Sequence, residues 1–448
     1  MISSWRRNKK ANRVARRGGE VETTPTELII PNQYRCPISL DTMKDPVILS
    51  TGITYDRENI EKWIEKGNVT CPVTNQALRT FEAVPNHTIR RMIQDWCVEN
   101  RAHGVERIPT PRIPVSSVDV GHVLQKISMT RDPEKCKELV GTIIRLMKES
   151  ERNKRCIVGN GAARTLASTF YSFNENEGET VISLLEELIG GLTSMMPFDH
   201  ETDGHLRSAR SIERLVWFMQ RGSLSCRLNA TLILKELISN PRGHQTNFVE
   251  TLIASEGTIE GLVKLIKEPI CASSTKASLV IIYHMITSTT NFFSSKNMIV
   301  GKFVDMGLVS LVLDILVDAE KSICEKSLGV LDVVCRRDIG LNAAYDNALI
   351  VPVVVKKILR VSDLATEFSI SILWRLCDNE TRESGGGVVV EALQVGAFQK
   401  LLLVLQVGWN VNERSKDKVT KLLKVLNLHR SKAECIESTD FKNLKRSF

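Results

Sequence analysis

Residues 30–100 read IPNQYRCPISLDTMKDPVILSTGITYDRENIEKWIEKGNVTCPVTNQALRTFEAVPNHTIRRMIQDWCVEN, and this stretch decides the fold of the N-terminal part. Apolar or β-favouring residues at 47–49 and 53–55 lie on either side of Ser50-Thr51-Gly52. Two such runs around a glycine predict a small hairpin with a tight turn.

Two helices are predicted after the hairpin. Asp56 is placed to cap the first, in which apolar residues recur at helical spacing up to Gly67, a typical helix end. Asn86 is placed to cap the second, which carries a similar apolar face. Irregular loops remain at 32–44, the first loop, and at 69–80, the second loop. Loop, hairpin, helix, loop and helix is the layout of a RING-like domain.

Zinc cannot be what holds these two loops. A zinc-bound RING domain needs about eight Cys and His ligands in closely spaced pairs. No C-x-x-C occurs in the chain, and residues 30–103 contain only Cys36, Cys71, Cys97, His87 and His103. The sequence therefore predicts no metal and no cofactor.

The whole stretch resembles the U-box, the zinc-free relative of the RING domain by which one class of ubiquitin ligases recruits a ubiquitin-charged conjugating enzyme. The resemblance implies loops held by hydrogen bonds and charge pairs. The residues expected to form this network, which the sequence does not pair, are Asp45, Thr51, Tyr55, Asp56, Thr70, Cys71 and Asn86.

The resemblance also implies an exposed apolar patch that contacts the conjugating enzyme: Ile38 and Leu40 in the first loop, Trp63 on the first helix and Pro72 in the second loop. Such a patch suits a small, reversible contact. Taken alone, Ile38 and Trp63 would equally suit the core of a small domain, and Pro72 a turn.

Asn75 departs from the pattern of many active members. They carry Arg or Lys at the corresponding position, where it contacts both ubiquitin and the enzyme. Asn donates hydrogen bonds without a charge, so we expect a slower reaction.

The implied enzyme is a ubiquitin-protein transferase of the RING/U-box type, which supplies proximity and orientation and no nucleophile. The alternative is a thioester on Cys36 or Cys71. No Cys–His pairing is legible around either residue, which argues against it.

Composition favours an intracellular, soluble protein. The 448 residues exceed one compact core, and the 11 cysteines are scattered singly, mostly in apolar helical segments, as reduced thiols are. No apolar run reaches the roughly 18–20 residues of a membrane span, and no secretory apolar region lies near the start. A cytoplasmic location is expected.

Two polar tails and a linker bound the domains. Residues 1–29 begin with seven Lys/Arg among 17 residues, which fits a solvated tail, a nuclear signal or a contact with an acidic membrane. Residues 30–103 form the predicted U-box. Residues 104–117 include three closely spaced prolines and predict a stiff linker. A polar tail is predicted at 431–448.

Residues 118–430 are almost wholly helical in period. The segments RLNATLILKELISN, KASLVIIYHMITS, EKSLGVLDVVCRR and TEFSISILWRLCDNE each resemble one recurring inner helix. Aligning Leu232, Leu279, Leu328 and Ile370 gives steps of 47, 49 and 42 residues. Armadillo and HEAT repeats span about 40–47 residues. The fold class is thus mainly α: a small α+β U-box followed by an armadillo-like α-solenoid.

This domain order resembles a plant family of U-box ubiquitin ligases with armadillo repeats. Members commonly bind the protein to be ubiquitinated through the solenoid, and several act in stress, defence or hormone signalling. A homodimer is a hypothesis, since many U-boxes pair.

Four cations near the ends of the predicted inner helices, Lys235, Arg336, Arg337 and Arg375, form a candidate substrate groove. It would suit an acidic or phosphorylated partner, although such cations also favour ordinary helix ends. Nucleic-acid binding is not expected, because the positive excess lies in a short tail without aromatic interleaving.

Two functions of different classes remain. The first is an active ligase that joins a charged conjugating enzyme to a bound substrate. The second is a non-catalytic armadillo scaffold with a weakened U-box, which only Asn75 favours.

Overall fold

A computed structural model describes residues 30–108, 115–173, 178–240, 245–288, 293–383, 387–406 and 413–430. The predicted tails at 1–29 and 431–448, and residues 109–114 of the predicted linker, lie outside these ranges. The chain divides into two compact units, Met1–Ile113 and Pro114–Phe448.

A three-stranded antiparallel sheet forms the centre of the N-terminal unit. Its strands are β1 (Pro46–Ile48), β2 (Thr54–Asp56) and β3 (Val84–Pro85), in the order β2-β1-β3. Val47 pairs with Tyr55 of β2 and with Pro85 of β3. The predicted hairpin is confirmed, and strand β3 was not predicted.

Helices α1 (Arg57–Glu65) and α2 (His87–Glu99) confirm the two predicted helices of this unit. Gly67 follows α1 in the left-handed region, at φ +83°, where glycine has no steric penalty. The Asn86 side chain caps α2 by accepting a hydrogen bond from the Ile89 amide. Asp56 precedes α1 but makes no side-chain cap, contrary to the sequence-based prediction.

Helices make up the described part of the C-terminal unit. Their bounds are α3 (Ser117–Met129), α4 (Pro133–Glu149), α5 (Glu151–Gly159), α6 (Ala162–Phe173), α7 (Glu179–Thr193), α8 (His200–Leu206), α9 (Ala209–Arg221), α10 (Leu224–Ser239), α11 (Gln245–Ala254), α12 (Thr258–Lys267), α13 (Ala272–Ser288), α14 (Phe293–Asp305), α15 (Leu308–Asp318), α16 (Lys321–Val334), α17 (Asp338–Tyr345), α18 (Ile350–Lys357), α19 (Asp363–Glu383), α20 (Gly387–Gln394), α21 (Ala397–Gln406) and α22 (Glu413–Leu428). From α8 onward they follow one another as successive three-helix repeats.

The third helix of each repeat packs against the third helix of the next. The resulting inner ladder runs α4, α7, α10, α13, α16, α19 and α22. The four segments predicted as inner helices are α10, α13, α16 and α19, which confirms the α-solenoid fold. The short first helices α8, α11, α14, α17 and α20 were not predicted.

Burial along the inner ladder follows the predicted register. Leu279, Leu328 and Ile370 are completely buried, and Leu232 is half-buried. Each aligned residue follows a small hydroxyl-bearing residue that is also completely buried: Thr231, Ser278, Ser327 and Ser369. Small side chains at this level let neighbouring inner helices pack closely.

Gly257 and Gly307 precede the second helices α12 and α15, and both lie in the left-handed region, at φ +77° and +75°. A side chain at this turn would be strained. The glycine therefore marks the same corner in two successive repeats.

Within the described ranges, no single helix is long and apolar enough to cross a membrane. The pair α20 and α21, bent by 68°, meets the criteria of length and composition when taken together.

Candidate functional site

The first and second loops of the N-terminal unit share one backbone design. In each loop a Cys-Pro pair opens a turn that is closed by the same two backbone hydrogen bonds and one antiparallel bridge. In the first loop these are Cys36 N to Asp41 O (2.8 Å), Leu40 N to Cys36 O (2.8 Å) and the bridge between Arg35 and Thr42. In the second they are Cys71 N to Gln76 O (2.8 Å), Asn75 N to Cys71 O (2.9 Å) and the bridge between Thr70 and Ala77.

Leu40 and Asn75 occupy equivalent positions in these turns, and both have left-handed backbone conformations, at φ +62° and +55°. Asn tolerates this region, whereas a branched apolar side chain is unusual there. The first loop therefore holds an apolar residue at a strained position that is 69% exposed.

The Cys36 thiol is completely buried and anchors the first loop. Its sulfur accepts hydrogen bonds from the Asp56 amide (3.3 Å) and from Nδ2 of Asn59 (3.6 Å). Asn59 Nδ2 also donates to the Ser39 hydroxyl (3.1 Å). Strand β2 and helix α1 thus hold the loop through one sulfur atom.

The Cys71 thiol is also completely buried and anchors the second loop. Thr51 Oγ1 donates to its sulfur (3.4 Å), and Tyr55 Oη shares a hydrogen bond of 3.0 Å with it. Burial opposes ionisation, but hydrogen bonds from Thr51, Thr74 and Tyr55 lower the pKa of the Cys71 thiol to about 6. Burial and the bond to Cys71 raise the pKa of the Tyr55 hydroxyl.

Carboxylates fix the end of the first loop. Asp56 Oδ1 accepts from the backbone amides of Lys44 (2.9 Å) and Asp45 (2.8 Å), so the side chain that was expected to cap α1 binds the loop instead. Burial raises the pKa of Asp56, and these two amides partly oppose the shift. Asp45 in turn accepts from Arg57 Nε at 2.7 Å, and Arg57 Nη1 reaches the carbonyl of Ala83. Loop, α1 and the approach to β3 are thereby linked.

The remaining predicted network residues act through the backbone or through strand β2. The carbonyl of Thr70 accepts from Trp63 Nε1 at 2.9 Å. Asn86 Nδ2 donates to Thr54 Oγ1 at 3.0 Å, in addition to capping α2. Among the side chains described, no group of three or more His, Cys, Asp or Glu is arranged to hold a metal ion.

The tips of both loops expose apolar side chains. Ile38 and Leu40 are exposed, Pro72 is half-buried, and Trp63 is half-buried against the core. Val73 is also exposed and was missed by sequence reasoning. Its signal was the parallel between CPIS and CPVT, which places Val73 where the first loop has Ile38. That these residues contact a conjugating enzyme stays a prediction.

The solenoid brings together two of the four cations predicted to line a substrate groove. Arg336 and Arg375 both bind the buried carboxylate of Asp332, at 2.6 Å each. Lys235 lies on α10, separated from α16 by α13, and its Nζ is 3.5 Å from a carboxylate oxygen of Glu236. Arg337 is the residue immediately before α17.

A polar cavity of about 560 Å³ lies among α4, α7 and α10. Lys137, Glu187 and Asn229 are among its lining residues, and Lys137 Nζ donates to the Ser183 hydroxyl at 2.7 Å. The first inner helices therefore present a mixed-charge surface rather than a basic one.

Both units match known protein families. The family model described as "U-box domain" matches residues 30–102, and that described as "Plant U-box protein ARM repeat region" matches residues 119–446. U-box domain-containing protein 21 of Arabidopsis thaliana is 43% identical over 429 residues, covering 94% of this chain and 94% of the relative. E3 ubiquitin-protein ligase PUB23 of the same plant is 32% identical over 411 residues, covering 89% and 93%. A designed armadillo repeat protein, YIII(Dq)4CqI, aligns with 58% of this chain and 99% of its own, at 15% identity and a TM-score of 0.44.

Proposed function

The chain belongs to the plant U-box proteins with armadillo repeats, and from that premise we propose that it is a ubiquitin-protein ligase. The U-box recruits a ubiquitin-charged conjugating enzyme, and the solenoid binds the protein whose lysines receive ubiquitin. The name of the relative PUB23 states this activity for that protein and supports the same activity here.

One observation carries the proposal. Two loops of the same backbone design, each anchored by a buried cysteine, expose apolar side chains at equivalent places, Ile38 in the first and Val73 in the second. Exposed apolar side chains that are grouped into a patch, unlike single ones scattered over a surface, mark sites of interaction. A small patch of this kind suits weak, reversible binding, as a ligase needs when it exchanges a spent enzyme for a charged one.

In the proposed reaction, this chain orients the two reacting groups and supplies neither of them. The conjugating enzyme brings the thioester and the substrate brings the attacking lysine, so the ligase contributes by holding the two in reactive geometry. Cys36 and Cys71 are completely buried and bonded within the loop network, which makes neither a suitable acceptor of ubiquitin. In the proposed reaction, neither of these two cysteines carries ubiquitin.

The second candidate is a scaffold without ligase activity. Asn75 favours it, because no positive charge stands at the position where many active members have one. The left-handed backbone at Asn75 gives that residue a structural reason to be Asn, which weakens this alternative.

Autoubiquitination with purified activating and conjugating enzymes tests the proposal, using the native chain and the Ile38→Ala variant. Ile38 is a cleaner target than Trp63, whose indole also holds the Thr70 carbonyl. The control is Val98→Ala, which removes the same kind of exposed apolar side chain from α2, outside both loops.

The ligase predicts a ubiquitin ladder for the native chain and for Val98→Ala, and a ladder reduced at least about tenfold for Ile38→Ala, since one lost contact of about 1.4 kcal/mol has this effect. Circular dichroism should be the same for all three proteins. The absence of a ladder with a broad panel of conjugating enzymes would favour the scaffold.

A further inference from the structure

A buried carboxylate holds two arginines on the inner ladder. Asp332 of α16 is only 1% exposed, and its oxygens accept from Arg336 Nη2 and Arg375 Nη1, at 2.6 Å each. Arg375 lies on α19, so its bond links neighbouring inner helices. Both bonds are short and charge-assisted, which fixes the two guanidinium groups in place.

Lys418 of α22 adds a third cation. Its Nζ donates to the Ser371 hydroxyl at 2.9 Å and lies 5.7 Å from the ring centre of Trp374. Burial lowers the pKa of Lys418, and Arg375 and Arg336 lower it further, whereas Asp332 and Glu367 oppose the shift. Lys418 is therefore within electrostatic range of both arginines and of the Asp332 and Glu367 carboxylates.

Packing alone does not account for this arrangement. Arg375 would be enough to link α16 to α19 through Asp332. Arg336 lies one turn from Asp332 on the same chain segment, and its side chain is 49% exposed, so its bond joins no two helices. The bond instead holds a guanidinium that is about half exposed to solvent. The side chain is thus fixed in place before any ligand arrives.

We propose that Arg336, Arg375 and Lys418, held by Asp332 and flanked by Trp374, form a binding site for a phosphorylated side chain in a peptide segment of the substrate. This inference rests on the proposed function, since it assigns a chemical class to the substrate that the solenoid binds. We refer to these five residues as the anion site.

Phosphate fits the anion site better than a carboxylate does. A phosphate monoester carries a charge of about −1.5 to −2 at neutral pH and offers three acceptor oxygens. Three cations from three successive inner helices match several oxygens, whereas a single carboxylate needs only one arginine fork. Trp374 is half-buried, and the accessible part of its ring offers an apolar surface for the neighbouring peptide residues.

The test measures binding of labelled peptide pools to the full chain by fluorescence anisotropy at physiological salt. Three pools of degenerate nonapeptides carry phosphoserine, serine or glutamate at the centre. We expect the phosphoserine pool to bind about tenfold more tightly than the other two, as one or two new charge-assisted hydrogen bonds would provide. Arg336→Gln and Lys418→Gln should each remove most of this preference.

Lys326→Gln is the matched control, because it removes one positive charge from the inner helix α16 outside the anion site, and it should leave the preference unchanged. Equal binding of the phosphoserine and glutamate pools would overturn the choice of phosphate. An unaltered preference in both anion-site variants, or no preference in the native chain, would overturn the site itself.

Autoubiquitination of the same proteins separates this inference from the proposed function. Arg336→Gln and Lys418→Gln leave the loops of the N-terminal unit untouched, so the ladder should persist in both variants. A chain that forms no ladder but selects the phosphoserine pool would refute the ligase and keep the anion site. A chain that forms a ladder but does not select the phosphoserine pool would refute the anion site and keep the ligase.

Discussion

Leu40 and Asn75 occupy the same position in two loops that lie 35 residues apart and share one pattern of backbone hydrogen bonds. Both residues have left-handed backbones, but one presents an apolar side chain to solvent and the other an amide. Substitutions at these two positions can therefore distinguish effects on the stability of the loops from effects on what the loops bind.

Leu40→Gly should abolish most ligase activity without unfolding the loop. Glycine relieves the left-handed strain, and its own entropic cost of about 0.5–1 kcal/mol is of similar size, so stability should change by less than about 1 kcal/mol. Loss of the exposed leucine should slow discharge of the charged conjugating enzyme at least about tenfold. Single-turnover discharge to free lysine and urea denaturation measure the two effects.

Leu40→Met is the control for this variant, because it keeps an apolar side chain at the same backbone position. It should discharge the enzyme at close to the native rate. If Leu40→Gly also kept the native rate, Leu40 would have no part in the contact.

Asn75→Arg should accelerate ubiquitin discharge several-fold. The guanidinium adds a positive charge and further donors where the enzyme and ubiquitin are expected to meet. Because Arg suits a left-handed backbone less well than Asn, the loop should lose up to about 1 kcal/mol of stability.

Asn75→Gln separates these two consequences, since it carries the same backbone penalty and no charge. Single-turnover discharge should rise for Arg and not for Gln, while both variants should show the small loss of stability. Equal rates for Arg and Gln would contradict a role for charge at this position.

Cys71 should make the stability of the N-terminal unit increase between about pH 6 and pH 9. The pKa of its thiol is about 6 in the folded chain, below the ordinary value of 9.0. In this window the unfolded chain binds more protons, so stability rises with pH, and the contribution of Cys71 is lost as pH falls towards 6.

Pulse proteolysis in urea, scored by cleavage within residues 30–108, measures this effect for the native chain and for Cys71→Ser. Serine keeps a hydroxyl at the site but does not ionise in this range, so its profile should be flatter. All other titrating groups are common to both proteins and cancel in the difference. Parallel profiles would show that the Cys71 thiol does not titrate in this window.

Gly340→Ala should destabilise the solenoid by more than about 2 kcal/mol. A Cβ atom on Gly340 would lie 2.3 Å from the carbonyl oxygen of Val334, a backbone atom that cannot move without displacing the end of α16. Overpacking of this kind typically costs about 1–3 kcal/mol or more.

Gly301→Ala is the matched variant, because a Cβ on Gly301 would meet its nearest neighbour, Ile339 Cδ1, only at 4.0 Å. Gly301 lies inside α14, where substitution by alanine should raise the free energy of unfolding by about 0.5–1 kcal/mol. The urea midpoint of unfolding, followed by circular dichroism, should fall for Gly340→Ala and rise for Gly301→Ala. A shift in the same direction for both would show that helix propensity outweighs the contact at Gly340.

Much of the N-terminal unit was predictable because its elements are marked by local signals. Gly67 ends a helix and Asn86 begins one, and both act within a few residues of themselves. Asp56 shows where this reasoning fails, because a residue placed to cap a helix can equally accept bonds from a distant backbone. Strand β3 escaped notice since it is only two residues long and includes Pro85.

In the solenoid, too, features set by nearby residues were predictable and contacts between distant residues were not. The inner helices were legible from their apolar period and from the spacing of Leu279 and Leu328. The link between Asp332 and Arg375 spans 43 residues, and no pattern in the sequence pairs a buried carboxylate with a cation at that distance. Lys418 was missed for the same reason.

The first and second loops share one backbone design, so their turn residues can be replaced without changing the residues that anchor them. The turns PISL and PVTN are closed by the same pattern of backbone hydrogen bonds. The eight residues of the two turns could therefore be randomised while the buried anchors Cys36 and Cys71 are kept. Under the proposed function, selection from such a library should change the choice of conjugating enzyme without altering substrate binding by the repeats. Orthogonal pairs of enzyme and ligase could then be built on this one scaffold.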